Sequence, residues 1–182
     1  MKWLVLVVIV MAMAAFPLTP AVAAGMKHAS VETGPSLLDR LKNLEGEWVG
    51  KAGAPDGEKM DAVVTYHVVA DGSAVMERLF PGTPHEMVTM YTLDRGTLVL
   101  THYCAAHNQP HMKARKGGPA NELTFDFAGG ANINTAKDTF MHDAKFVFVD
   151  QDHIRGEWTS WSGGRPGGKT VFDNHSSTDS IW

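Results

Sequence analysis

The chain has 182 residues, with 16 Lys and Arg against 20 Asp and Glu, for a formal charge of −4. That length gives room for one domain with a sizeable core, and a mildly acidic chain with no basic block excludes nucleic acid as a partner. A single cysteine, Cys104, excludes an internal disulfide, so stability has to come from packing.

Residues 1–24 read as a secretory signal peptide. Lys2 supplies the positive start, an apolar run follows over 4–15, and Ala21-Val22-Ala23 or Val22-Ala23-Ala24 offers the small residues a signal peptidase needs. The run is too short to span a bilayer. The expected mature chain begins near Gly25, is periplasmic or secreted, and has no stable membrane insertion once the signal is cleaved. Residues 25–34 are short, polar and terminal, and read as a flexible lead-in to one domain over 35–182.

Pro35 and Ser36 suit a helix start, and Leu37, Leu38, Leu41 and Leu44 have helical spacing. One short amphipathic helix over 35–43 is expected. The pattern then changes to strands, with spans at 45–52, 60–69, 73–80, 85–94, 97–104, 110–116, 121–128, 140–149, 152–161 and 168–175. Most links between them are hairpin-length and polar, and no helix intervenes. Such a series favours an up-and-down meander over a Greek key, and closure removes the exposed edges. The expected fold is all-β: a closed antiparallel barrel of about ten strands preceded by one short helix. The longer links at 53–59 and 129–139 belong at its rims.

The segment Leu44-Glu45-Gly46-Glu47-Trp48-Val49-Gly50 places a G-x-W at the start of the first strand, just after the helix. This resembles the opening of lipocalins, or calycins, in which the Trp plugs one end of the barrel. The stretch over 72–112, with LFPGTPHEMVTMY and LTHYCAAHNQP, and the segment KDTFMH at 137–142 are similar to exported bacterial lipocalin-like proteins of unknown function. The resemblance implies the barrel and an interior that takes a small molecule, and it brings no established activity. Nitrobindin and fatty-acid-binding barrels share the architecture, but the haem-site pattern of nitrobindin is not clear here.

The stretch over 84–112 concentrates the chemistry. It reads as two long strands joined by Asp94-Arg95-Gly96, expected as a three-residue loop with a bulge, and it holds Cys104, four of the nine histidines, and the pair Asn108-Gln109. With a period of two, Leu98, Leu100, His102 and Cys104 share one face. If that face points inward, a His and a thiol sit among aliphatic groups. They then serve as metal ligands, as a polar anchor for an organic ligand, or as a satisfied core His beside an inert core Cys. On the later strand Phe140, His142, Ala144, Phe146 and Phe148 share a face by the same count. This brings His142 toward His102 across the interior, or leaves it at a rim. Asn108 and Gln109 suit a barrel mouth, where amides fix a ligand, or ordinary turn chemistry. Glu77 and Arg78 are mid-strand neighbours, so one of them faces inward. Asp173, His175, Ser176 and Ser177 are triad residue types, but one strand cannot form a triad geometry by itself.

No catalytic motif of high specificity is present; the residues favour a binding protein and leave open whether the chain is an enzyme. The expected function is an exported lipocalin-like barrel holding a small, mostly apolar ligand. The expected cavity is lined by Glu77, Leu100, His102, Cys104, Asn108, Gln109, Met112, His142 and Phe146. The alternative is a metal- or haem-binding protein, with catalysis in one version, using His102, Cys104 and His142. The cofactor and the oligomeric state stay unassigned.

Overall fold

The computed structural model describes residues 32–177; the expected signal peptide and most of the lead-in lie outside them. One helix, α1 (Gly34–Lys42), is followed by ten strands: β1 (Gly46–Gly53), β2 (Lys59–Val69), β3 (Ala74–Leu79), β4 (Met87–Asp94), β5 (Thr97–Tyr103), β6 (Gln109–Ala114), β7 (Glu122–Ala131), β8 (Thr139–Phe148), β9 (His153–Ser162) and β10 (Arg165–Ser176). Each strand pairs antiparallel with its chain neighbour, and β1 pairs with β10, so the sheet is a closed up-and-down barrel. No helix among the described residues is long and apolar enough to cross a membrane.

Local chemistry accounts for most of the boundaries. Thr33 caps α1, its N–H donating to Ser36 Oγ at 3.1 Å, and Pro35 sits in the first turn. The expected three-residue loop at Asp94-Arg95-Gly96 is corrected. Asp94 pairs directly with Thr97, and Arg95 and Gly96 both have positive φ (49° and 80°), which is the two-residue turn matched to strand twist. Gly163 and Gly164 do the same between β9 and β10 (57° and 73°). Here β10 begins at Arg165 rather than 168, because a register irregularity between Pro166 and Lys169 absorbs the proline and two glycines.

Up-and-down winding puts alternate turns at opposite ends. The turns after β2, β4, β6 and β8 lie at the end that α1 covers. The helix buries Leu37, Leu38 and Leu41 there and packs on β2, β3, β4 and β5. Trp48 lies under this cover, 4% exposed, and its Nε1–H donates to Leu44 O at 2.7 Å. The other end carries the turns after β1, β3, β5, β7 and β9, and no helix among the described residues covers it.

The seam between β1 and β10 runs from Trp48 opposite Ser176 to Gly53 opposite Val171. A Cβ on Gly50 would lie 1.9 Å from Asp173 O, so the approach of the two strands requires glycine there.

Truncating Trp48 removes both the ring and its hydrogen bond. Trp48→Ala is expected to cost about 3–5 kcal/mol and to lower the melting temperature by on the order of 10 °C. Thermal unfolding followed by circular dichroism checks this, and an unchanged midpoint would contradict the role of the ring.

Candidate functional site

The barrel interior holds a polar row that the register assembles from four adjacent strands. Tyr66 on β2 lies opposite Glu77 on β3, Glu77 opposite Thr89 on β4, and Thr89 opposite His102 on β5. All four are buried, Glu77 and His102 to 1% exposure. Tyr66 Oη–H donates to Glu77 Oε1 at 2.9 Å, and Tyr91 Oη–H donates to Oε2 at 2.9 Å. The Thr89 hydroxyl also bonds Glu77 and lies 2.9 Å from His102 Nδ1.

Removal from water raises the Glu77 pKa, and the three hydroxyl bonds pull back against that rise without cancelling it. Burial, with the Glu77 charge beside them, pushes both tyrosines well above the usual phenol range. His102 is held down to about 4 by burial, so it is neutral at physiological pH. Its ring lies against Trp158, centroids 4.7 Å apart, and its buried Nε2 has no hydrogen-bond partner.

These groups do not line open space. Leu100, Met112, Phe125, Phe146, Tyr91 and Trp158 are exposed by 0–2%, so no water-sized void adjoins them. Aromatic side chains fill the lumen: Tyr91 packs on Phe125 and Phe146, and Phe146 packs edge-on against Trp158. Among the described residues these side chains form a packed core in place of the expected central cavity around His102, Leu100, Met112 and Phe146.

Two further placements differ from the alternation argument. Strand β5 ends at Tyr103, and Cys104 begins the turn: its N–H donates to Asn108 O, and its carbonyl accepts from His107. The thiol is partly exposed and does not continue the His102 face. On β8 a register irregularity falls between Met141 and Asp143. Phe140 pairs with Trp161 while Ala144 pairs with Trp158, so the face expected to run from Phe140 to Phe148 is broken at His142. Among the described residues, His102, Cys104 and His142 form no group close enough to share an ion.

His142 instead enters an aromatic stack. Its ring lies on Trp161 at 4.0 Å and 13°, and on Phe127 at 5.0 Å and 23°, with Phe127 in turn 5.0 Å from Phe140. His142 Nδ1 is 2.9 Å from Asp143 Oδ2, which fixes the ring's orientation. Phe127, Phe140, His142 and Trp161, with Thr135, Ala136 and Gly164, line an open pocket of about 400 Å³. Thr135, Ala136 and Gly164 belong to the turns after β7 and β9, so the pocket is at the end away from α1. The loop wall is held by an Asn–Asp pair. Asn134 N–H donates to Asp138 Oδ2 at 2.7 Å, and Asn134 Oδ1 accepts from Ala136 N–H at 3.1 Å.

Asn108 and Gln109 brace the same end. Asn108 Nδ2 donates to Thr139 O at 2.9 Å, while its buried Oδ1 has no partner. Gln109 Oε1 accepts from Asn132 Nδ2 at 2.8 Å. Residue types in the sequence single out His142 and Glu77 but not Phe127 and Trp161, because the bulge that gathers these rings leaves no mark in the alternation. Nor do they single out Tyr66 and Tyr91. Their signal was available: each shares a strand face with buried residues and carries a hydroxyl that needs a partner.

No protein-family model matches the chain, and no curated protein does. A solved structure with the same fold is that of a DUF3598-family protein of unknown function from Nostoc punctiforme, with a TM-score of 0.52 and 12% identity. The match covers 75% of this chain and 48% of that one, so this chain spans about half the length of that relative. The class defined here is a closed ten-strand antiparallel barrel with a helix over one end.

The buried histidine sets a pH signature. An unfolded imidazole titrates near 6.5 and His102 near 4, so between these values the unfolded chain binds a proton that the folded chain refuses. Stability is expected to fall as pH drops through this window, by about 3 kcal/mol from His102. Glu77 acts in the opposite sense: its pKa is raised, so its contribution is lost as pH rises through the folded value. Urea unfolding of the unaltered chain and His102→Gln from pH 7 to 4 isolates the His102 contribution as the difference in slope. Parallel curves would show that His102 is not held neutral.

Proposed function

We propose that the chain is an exported binding protein whose ligand is a small, mostly apolar, ring-bearing molecule held at the open end of the barrel. The observation that carries this reading is the pocket of four rings formed by Phe127, Phe140, His142 and Trp161. Its volume of about 400 Å³ falls in the range of small-molecule sites. Trp161 and Phe127 stack on His142, and the ring surface left open in the pocket offers an apolar contact to a flat guest, with the imidazole adding a polar one. The loop wall at 134–138 is already ordered by its own hydrogen bonds, which lowers the cost of binding.

The export signal and the lipocalin-like G-x-W opening fit this reading. The ligand site differs from the lipocalin arrangement in lying at the rim, because the lumen is filled. Of the residues expected at the site, His142 lines the pocket. Asn108 and Gln109 support its surroundings. Glu77, Leu100, His102, Met112 and Phe146 belong to the core beneath.

Fluorescence of anilinonaphthalene sulfonate, an aromatic probe, tests the proposal. Trp161→Ala is expected to weaken probe binding at least about tenfold, equivalent to about 1.4 kcal/mol. His102→Gln, beneath the pocket, is expected to leave it unchanged. Equal binding by Trp161→Ala and the unaltered chain would refute the rim site, and loss confined to His102→Gln would return the ligand to the interior.

A further inference from the structure

On the outer face of β9 and β10 two histidines and an aspartate converge. Asp173 and His175 are two residues apart on β10, and Asn174 between them is buried, so both point away from the core. His153 on β9 is the register partner of His175. The two imidazoles stack with centroids 4.1 Å apart at 24°, and His153 Nε2 lies 2.6 Å from Asp173 Oδ1. One nitrogen from each histidine and one carboxylate oxygen all lie within 4.8 Å of one another.

We propose that His153, Asp173 and His175 form a binding site for a divalent transition-metal ion of the zinc class. Two imidazoles and a carboxylate are a donor set suited to such ions. A tetrahedral ion with bonds of about 2.0–2.1 Å draws its ligands to roughly 3.3 Å apart, so small side-chain rotations complete the site. Strand pairing already fixes the three backbones, and this reduces the entropy lost on binding. Three protein ligands leave a fourth position open to water or an external donor.

The surrounding charges favour this use of Asp173. Its lateral neighbours are Lys51 on β1 and Arg155 on β9. Lys51 Nζ is 2.6 Å from Asp61, and Arg155 is 3.3 Å from Glu157. Both cations are thus engaged by other carboxylates, and Asp173 turns to His153.

Zinc titration of the full chain after chelator treatment, followed by calorimetry, tests the site. One ion per chain is expected, with affinity lowered at least about tenfold in each of His153→Ala, Asp173→Asn and His175→Ala. Trp161→Ala is expected to bind zinc as the unaltered chain does, which separates this site from the rim pocket. His175 is exposed, so its variant keeps the fold even where loss of the His153 ion pair does not. Cobalt in place of zinc is expected to give the visible absorption of a low-coordinate nitrogen and oxygen site. Absence of zinc binding, unchanged zinc binding by His175→Ala, or a cobalt spectrum of the free aqueous ion would each overturn the proposal.

Discussion

Closure of the sheet between β1 and β10 is the constraint on which the rest of this structure depends. A ten-strand meander left open would expose two rows of unpaired backbone groups. Pairing Trp48 through Gly53 with Ser176 through Val171 removes both edges together. The seam is long-range, joining the start of the domain to its end, so its residues are chosen for fit. Gly50 permits the close approach, and Asp173 and Asn174 supply the opposing backbone. The neighbouring β9–β10 pairing sets Asp173 and His175 beside His153.

With the barrel closed, the interior has to be filled or left hollow, and here it is filled. The large residues Trp158, Tyr91, Phe125 and Phe146 are fully buried in it. Among such neighbours a carboxylate is costly, since a buried charge loses several kcal/mol of hydration. Glu77 persists because Tyr66, Tyr91 and Thr89 direct hydroxyls at it from the adjacent strands. The row is a strong device for register: a slip of one residue in β3 or β4 would turn Glu77 or Thr89 to the other face. Its last member, His102, remains neutral and packs on Trp158.

The two ends of the barrel then take different roles. One is closed by α1, whose three buried leucines and the Trp48–Leu44 bond seal the core. The other carries longer turns, and the bulge in β8 gathers Phe127, Phe140, His142 and Trp161 there. Bulges at barrel rims commonly re-aim side chains in this way. The filled core thus leaves an aromatic recess at this rim.

By itself the sequence determined the helix, the ten strands, their antiparallel order and the closed barrel. These follow from period-two alternation and turn residues, which are local and survive reading one residue at a time. The inward choice of Glu77 over Arg78 was open in the sequence, and only the register against Tyr66 and Thr89 decided it. The expected His102–His142 cavity failed for two non-local reasons. The volume of the aromatic side chains fills the lumen, and an irregularity opposite β9 breaks the alternation at His142. Tertiary structure alone brought His153 to His175 and Asp173, because only strand pairing places residues twenty positions apart side by side.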